Sequence, residues 1–361
     1  MKQLLFLLAL VLMASSTVIP RVEPIVTHVP KTYKVSLDDP PEVRWRQILS
    51  DFKVPLAKFM EEFNKLPIPE SFYNGVEWYA KNMFKHQDFV AEVDAISKLS
   101  GYPFEKMFFL NFMYEYSTFK ACTGILVRNS AGKILHGRNL DFEMWHLLSN
   151  LVTNVEYYQG QKKIFSVDTI VGSVFALTGI RHGAFAINVD TRKAKHFYDD
   201  LISIMLDDGI PTVWLLRRTL AEETTYDRAQ KRLKYEKIGG PVYYILSGTE
   251  DNEGCVIERD TESVHAFYEL SEANWFLVQT NYDRDYPDPL HDPRRVPVEK
   301  RLRERGNAHF EEQDLFDSFM SVWPTFNIAT IMTAVMVPGT GYHNTTVWYG
   351  QNPQTPKQIL I

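Results

Sequence analysis

A chain of 361 residues with 45% hydrophobic and 23% charged residues has the balance of a soluble globular protein, with room for one large domain or two ordinary ones. A formal net charge of −6 and no basic stripe argue against a nucleic-acid partner. Cys122 and Cys255 are the only cysteines, so a disulfide framework is excluded.

Met1-Lys2-Gln3, the apolar run Leu4 to Met13 and the small residues Ala14-Ser15-Ser16 read as a secretory signal peptide over residues 1–16. The competing reading is a buried N-terminal helix. No later stretch reaches the ~18 to 20 apolar residues of a membrane span. A sequon at Asn344-Thr345-Thr346 fits glycosylation in the secretory pathway. At acidic pH, neutralised carboxylates and ten charged histidines would let the surface approach an anionic membrane.

Residues 18–41 are rich in Pro, Val and Thr and read as an extended arm. Apolar residues at 45, 48, 49, 52, 56, 59, 60 and 63 form one face of an amphipathic helix that Pro55 should kink or split. Further helices are expected over Phe72 to Met83, up to Leu99 with Gly101 as the C-cap, and over Pro103 to Met113.

From Cys122 the pattern turns to strands: Cys122 to Val127, Lys133 to Asn139, Val152 to Tyr158, Lys163 to Val167, Ser173 to Thr178 and Ala184 to Val189. Ile210 to Leu233 reads as one helix with Arg217 and Arg218 on its wet side. Strands follow at Val242 to Leu246, Cys255 to Glu258, Trp275 to Thr280 and Ile328 to Val337, with helices at Val296 to Glu304 and Glu311 to Val322. Pro287 to Pro297 is a proline-rich surface loop. Helices first and antiparallel-looking strands after them give an α+β fold.

The chemistry concentrates where Ala121-Cys122-Thr123-Gly124-Ile125 opens a strand. A turn at Asn129-Ser130-Ala131-Gly132 returns the chain through His136-Gly137-Arg138-Asn139-Leu140-Asp141. Such a hairpin brings Cys122 beside Arg138 and Asp141, and a guanidinium favours the thiolate of a neighbouring cysteine. His136 shares a strand face with Arg138. It is either a papain-like partner for Cys122 or a structural histidine. Arg138 and Asp141 as a plain salt bridge is a further alternative. Cys255, in an apolar strand, reads as a buried structural thiol. No HExxH or CxxC spacing and no glycine-rich phosphate loop is present, so neither metal nor cofactor is expected.

These residues resemble the acid ceramidase / N-acylethanolamine acid amidase family. So does a second block, Val278-Gln279-Thr280-Asn281-Tyr282-Asp283 with Asp292-Pro293-Arg294-Arg295. The resemblance implies a lysosomal N-terminal-nucleophile hydrolase with an αββα sandwich. It also implies autocleavage between Ala121 and Cys122, giving a helical α-subunit (17–121) and a catalytic β-subunit (122–361) that stay together as a heterodimer.

The substrate implied is an N-acyl lipid, with N-acylethanolamines favoured over ceramide and transient contact with a lipid membrane surface. Cys122 would be the nucleophile, Asn281 an oxyanion donor and Arg294 a supporting residue. The freed α-amine would act as general base or as the cation of an ammonium–thiolate pair. Gly124 and Thr191 depart from the family, which has Ser and Glu there. Either Asp190 replaces that carboxylate or the contacts of Asp190 and Thr191 with substrate differ. A bile-acid or β-lactam hydrolase and a catalytically dead lipid-binding relative are the other readings.

Overall fold

In the computed structural model, residues 26–349 are described apart from Pro67, 117–121, Glu143 and 193–208. The expected signal peptide and Ala121 lie outside these residues. Two short strands, β1 (Val26–His28) and β2 (Thr32–Ser36), occupy the arm. The longer helices that follow are α1 (Pro41–Asp51), α2 (Lys53–Phe63), α3 (Glu70–Asn82), α4 (Gln87–Ser100) and α5 (Phe104–Leu110). The long amphipathic pattern does divide in two. The break falls at Phe52, which leaves Pro55 in the first turn of α2, where its missing N–H costs nothing. Gly101, at φ 78°, ends α4 in the left-handed conformation.

From Cys122 onward the chain holds β3 (Thr123–Arg128), β4 (Ile134–Asp141), β5 (Val152–Gln159), β6 (Lys162–Ile170), β7 (Thr178–Arg181) and β8 (Phe185–Thr191). Then come α6 (Thr212–Glu222), α7 (Tyr226–Tyr235), β9 (Val242–Ser247), β10 (Gly254–Arg259), β11 (Val264–Glu269), β12 (Phe276–Gln279), α8 (Arg295–Arg305), β13 (Thr330–Val337) and β14 (Tyr342–Tyr349). One sheet has the order β1-β14-β13-β4-β3-β12 and the other β11-β10-β9-β8-β7-β6-β5-β2. Among the named strands, every pairing but the parallel one of β2 with β5 is antiparallel.

The two sheets stack face to face around Leu126, Tyr243, Ile245, Val256 and Leu277. Helix α8 and Phe319 cover the outer face of the six-stranded sheet, where Ile125, Val127, Val278 and Val335 meet Val298 and Leu302. The N-terminal helices with α6 and α7 cover the eight-stranded sheet and share its core, among them Trp45, Phe89, Phe108 and Trp214. This is the four-layer αββα sandwich. Strand alternation explains the layers: Ile125 and Val127 face α8, whereas Gly124 and Leu126 face the second sheet. A Cβ on Gly124 would stand 3.0 Å from Ile245 Cγ1 and 3.1 Å from Asn188 Oδ1, so the missing side chain is what lets the sheets approach there.

Four expectations are corrected. The helix expected over Ile210 to Leu233 breaks at Glu223, and Thr225 caps α7 by accepting from Arg228 N–H. The strand expected at Ser173 to Thr178 begins only at Thr178, since Val174 and Phe175 pack into the core without pairing. Beyond Glu312–Leu315 the helix expected to reach Val322 widens into a looser turn ending at Met320. Arg217 is buried rather than wet, because Glu92 of α4 neutralises it. Strands β11 and β14 escaped the sequence reading because neither shows a clean period of two: apolar and aromatic residues run together in β11, and polar residues fill the middle of β14.

Candidate active site

The hairpin expected from the sequence forms as drawn. Asn129 Oδ1 accepts from the Ala131 and Lys133 amides, and Gly132 takes φ 82°. Register pairs Thr123 with Asn139 and Gly124 with Arg138, which sets Cys122 against the last residues of β4. Its Sγ lies 3.9 Å from the Asp141 carbonyl oxygen. The charge of Arg138 acts on the Cys122 thiol and favours its ionised form.

Six segments of the chain converge here. Arg138 points between the sheets, donating to Thr178 Oγ1 at 3.1 Å and to the Val189 carbonyl at 3.0 Å, and pairing with Asp190 Oδ1 at 3.2 Å. Asn188 Nδ2 donates to the same Asp190 oxygen at 2.8 Å. Arg294, at the start of α8, is gripped by Asp292 at 2.6 and 2.7 Å. Its other N–H groups reach the Cys122 carbonyl, Thr123 Oγ1 at 3.1 Å and Asn281 Oδ1 at 3.0 Å. Asn281 stands just past β12 and donates to the Thr191 carbonyl at 2.9 Å and Thr191 Oγ1 at 3.0 Å. The site therefore runs unbroken from Asp190 and Thr191 through Arg138 and Asn281 to Cys122.

Two expectations change at this point. Arg138 does favour the thiolate, but Cys122 is only 2% exposed, and burial pushes its thiol above the ordinary value despite that charge. The Asn281 N–H groups are not aimed at a free oxyanion position, since both reach Thr191. Thr191 is thus an anchor for Asn281, and Asp190 a partner of Arg138.

Burial raises the carboxyl of Asp141 to about 6 against the pull of Arg294, and that of Asp190 to about 7 against the pull of Arg138. Asp141 Oδ1 and Asp190 Oδ2 are among the buried atoms with no hydrogen-bond partner in the described residues. Buried acceptors of this kind are costly unless a donor reaches them.

His136 proves structural. Its Nδ1 meets Ser247 Oγ at 2.8 Å and its Nε2 meets Asn188 Oδ1 at 2.6 Å, while burial lowers it to about 4. Cys255 is fully buried and free. Sequence reading missed Asn327, which donates to Asp141 Oδ2 at 2.6 Å, and Tyr114, whose hydroxyl donates to the Val189 carbonyl at 2.8 Å. Asn327 lies 186 residues from Asp141 in a loop with no motif, so no local signal exists. Asp292 stood inside a quoted motif, but its grip on Arg294 needed the fold.

Residues 29–87 match the family model described as the beta subunit of N-acylethanolamine-hydrolyzing acid amidase. The chain is 31% identical over 322 residues to the N-acylethanolamine-hydrolyzing acid amidase of Caenorhabditis elegans, covering 86% of this chain and 90% of that one. It is 29% identical over 328 residues to the acid ceramidase of Mus musculus, covering 84% and 82%. A solved structure of the Caenorhabditis elegans N-acylethanolamine-hydrolyzing acid amidase ortholog superposes with a TM-score of 0.57 at 31% identity, covering 63% of this chain and 99% of that one. Fold, site and these similarities agree: the chain belongs to the N-acylethanolamine-hydrolyzing acid amidase family.

Proposed function

We propose that the protein is an amidase of N-acyl lipids, with N-acylethanolamines as its leading substrates, activated by hydrolysis of its own Ala121–Cys122 bond. The observation that carries this reading is the convergence of Arg138, Asp141, Asn281 and Arg294 on Cys122, the residue whose thiol and nitrogen must both act. In the self-cleavage step Cys122 Sγ attacks the Ala121 carbonyl, the acyl group passes from nitrogen to sulfur, and water hydrolyses the thioester. A carboxylate at Ala121 and an α-amine at Cys122 result. Asp141 Oδ1 then accepts from that amine.

With substrate, the α-amine takes the thiol proton as Sγ attacks the amide carbonyl, and the same proton leaves with the departing amine. Water resolves the thioester to a fatty acid. Asn281 stabilises the oxyanion by releasing Thr191 Oγ1, a contribution of roughly 2.7 to 4 kcal/mol in comparable sites. Arg294 holds the Asn281 carbonyl oxygen at 3.0 Å and so fixes the plane of its carboxamide.

The helical segment stays bound after the cut through the buried core that it shares with α6. Trp78 on α3 and Met83 just after it, 61% and 56% exposed, are apolar groups suited to transient contact with a lipid surface. No helix among the described residues is long and apolar enough to cross a membrane. Passage through the secretory pathway to the lysosome or the exterior accords with the leader sequence and with an exposed Asn344 for glycosylation.

The test is acid incubation of purified protein followed by a denaturing gel, N-terminal sequencing, and turnover of a panel of N-acylethanolamines and ceramides. Two bands, a new terminus reading Cys-Thr-Gly, and hydrolysis lost in Cys122→Ala are expected. One uncut, inactive band would refute the reading, and preference for ceramide would move the substrate assignment.

A further inference from the structure

Outside the active site, the opposite ends of β10 and β11 and the loop after β12 bring Glu258, His265 and Asp283 together. One ligand atom from each lies within 4.8 Å of the other two. We propose that these three residues form a binding site for a divalent transition-metal ion of the Zn2+ class.

Three observations carry the assignment. Glu258 is fully buried. One of its oxygens accepts from the Arg284 amide at 3.1 Å, and the other, Oε2, is buried with no hydrogen-bond partner among the described residues. A buried carboxylate oxygen without a donor is costly unless a cation takes that place.

Asp283, secondly, keeps a ligand position open. Its Oδ1 accepts from Arg192 Nε at 2.6 Å and Tyr243 OH at 2.7 Å, and its Oδ2 accepts from Arg192 Nη2 at 2.9 Å. A carboxylate offers about four lone-pair positions, so one remains on Oδ2. His265 Nε2 stands 3.8 Å from that oxygen.

The third observation is the setting of the imidazole. His265 Nδ1 faces Asp260 Oδ2 at 3.6 Å, so the ring lies between an outer carboxylate and the cluster. That is the arrangement by which metal-bound histidines are oriented. Charge agrees as well. Three carboxylates (Glu258, Asp260 and Asp283) face one guanidinium, Arg192, and leave two negative charges for a dication.

Two oxygens and one imidazole nitrogen suit Zn2+, Mn2+ or Co2+ rather than a soft ion. Zn–N and Zn–O bonds are roughly 2.0 to 2.2 Å and tetrahedral ligand atoms then lie roughly 3.4 Å apart, so the three groups must draw in from separations of up to 4.8 Å. The side chain of His265 is 39% exposed and can make that movement. Sequence spacing hid the site because the three ligands come from three separate segments. Its position is pointed: Arg192 and Asp283 follow the active-site residues Thr191 and Asn281 by one and two residues.

The experiment is calorimetric titration of Zn2+ into the full chain carrying Cys122→Ala, so that no nucleophilic thiol competes. One equivalent should bind. His265→Ala should abolish it, Glu258→Gln should do the same, and Asp260→Asn should weaken it ~10 to 100-fold. His265→Ala changes a partly exposed side chain, so its metal-free thermal midpoint should match that of the parent. No binding to the parent, or undiminished binding to His265→Ala, would overturn the assignment.

Discussion

Glu92→Ala is the sharpest test of how the two halves of this chain hold together. Glu92, on α4 before the proposed cut, is 4% exposed and takes N–H bonds from Arg217 at 2.7 and 2.8 Å. It also accepts from Arg44 at 3.0 Å and from the Trp45 indole at 3.0 Å. Arg217 belongs to α6, after the cut, and is sandwiched by Tyr157 and Trp214 with its guanidinium carbon 4.8 and 4.9 Å from their ring centres.

Removing the carboxylate leaves the Arg217 cation, whose side chain is 5% exposed, without its anion. The Arg44 side chain, 16% exposed, rehydrates in part. Breaking a buried pair in this way costs about 3 to 5 kcal/mol, a large share of the ~5 to 15 kcal/mol that holds a domain folded. Replacing both partners with apolar residues, as in Glu92→Leu with Arg217→Met, should cost far less, because no lone charge remains.

The assay is urea unfolding of the single and double variants in a Cys122→Ala background that keeps the chain uncut. In the cleaved protein the single variant should weaken fragment association by more than ~100-fold, at about 1.4 kcal/mol per tenfold. A single variant within about 1 kcal/mol of the parent, or a double variant as unstable as the single, would refute the argument.

Protonation should leave two opposite signatures. Asp141, raised to about 6 from an unfolded value near ~3.9, holds its proton in the folded chain after the unfolded chain has lost it. Its contribution is present below the unfolded value and lost as pH rises through 6, so the wild-type urea midpoint relative to Asp141→Asn should fall between pH 4 and 7. His136, lowered to about 4, acts the other way: relative to His136→Gln, wild type should lose stability as pH drops from about 6.5 toward 4. Gly124→Ser places an atom against Ile245 and Asn188 and should cost about 1 to 3 kcal/mol by thermal unfolding. Arg294→Lys keeps the charge but not the planar fork that grips Asp292, Asn281 and the Cys122 carbonyl, and should lower kcat/KM by roughly 10²-fold in a steady-state assay.

The sequence by itself determined most of the elements and the placing of Cys122 beside its hairpin partners. Apolar spacing set the N-terminal helices, a Gly at the αL position ended α4, and the Asn129 to Gly132 turn fixed a hairpin whose register places Arg138 and Asp141 beside Cys122. These are local effects, carried by residues within a turn or a strand of one another. What only the tertiary structure decided is environment and long-range pairing. Burial overrides the thiolate bias that Arg138 gives Cys122 and raises two carboxyls. It also turns Arg217, apparently a surface cation, into the centre of a buried ion cluster. Asn281 meets Thr191 across 90 residues, and Asn327 meets Asp141 across 186. Desolvation and contacts between distant segments depend on which surfaces the folded layers bring together, and no local pattern of residues encodes that.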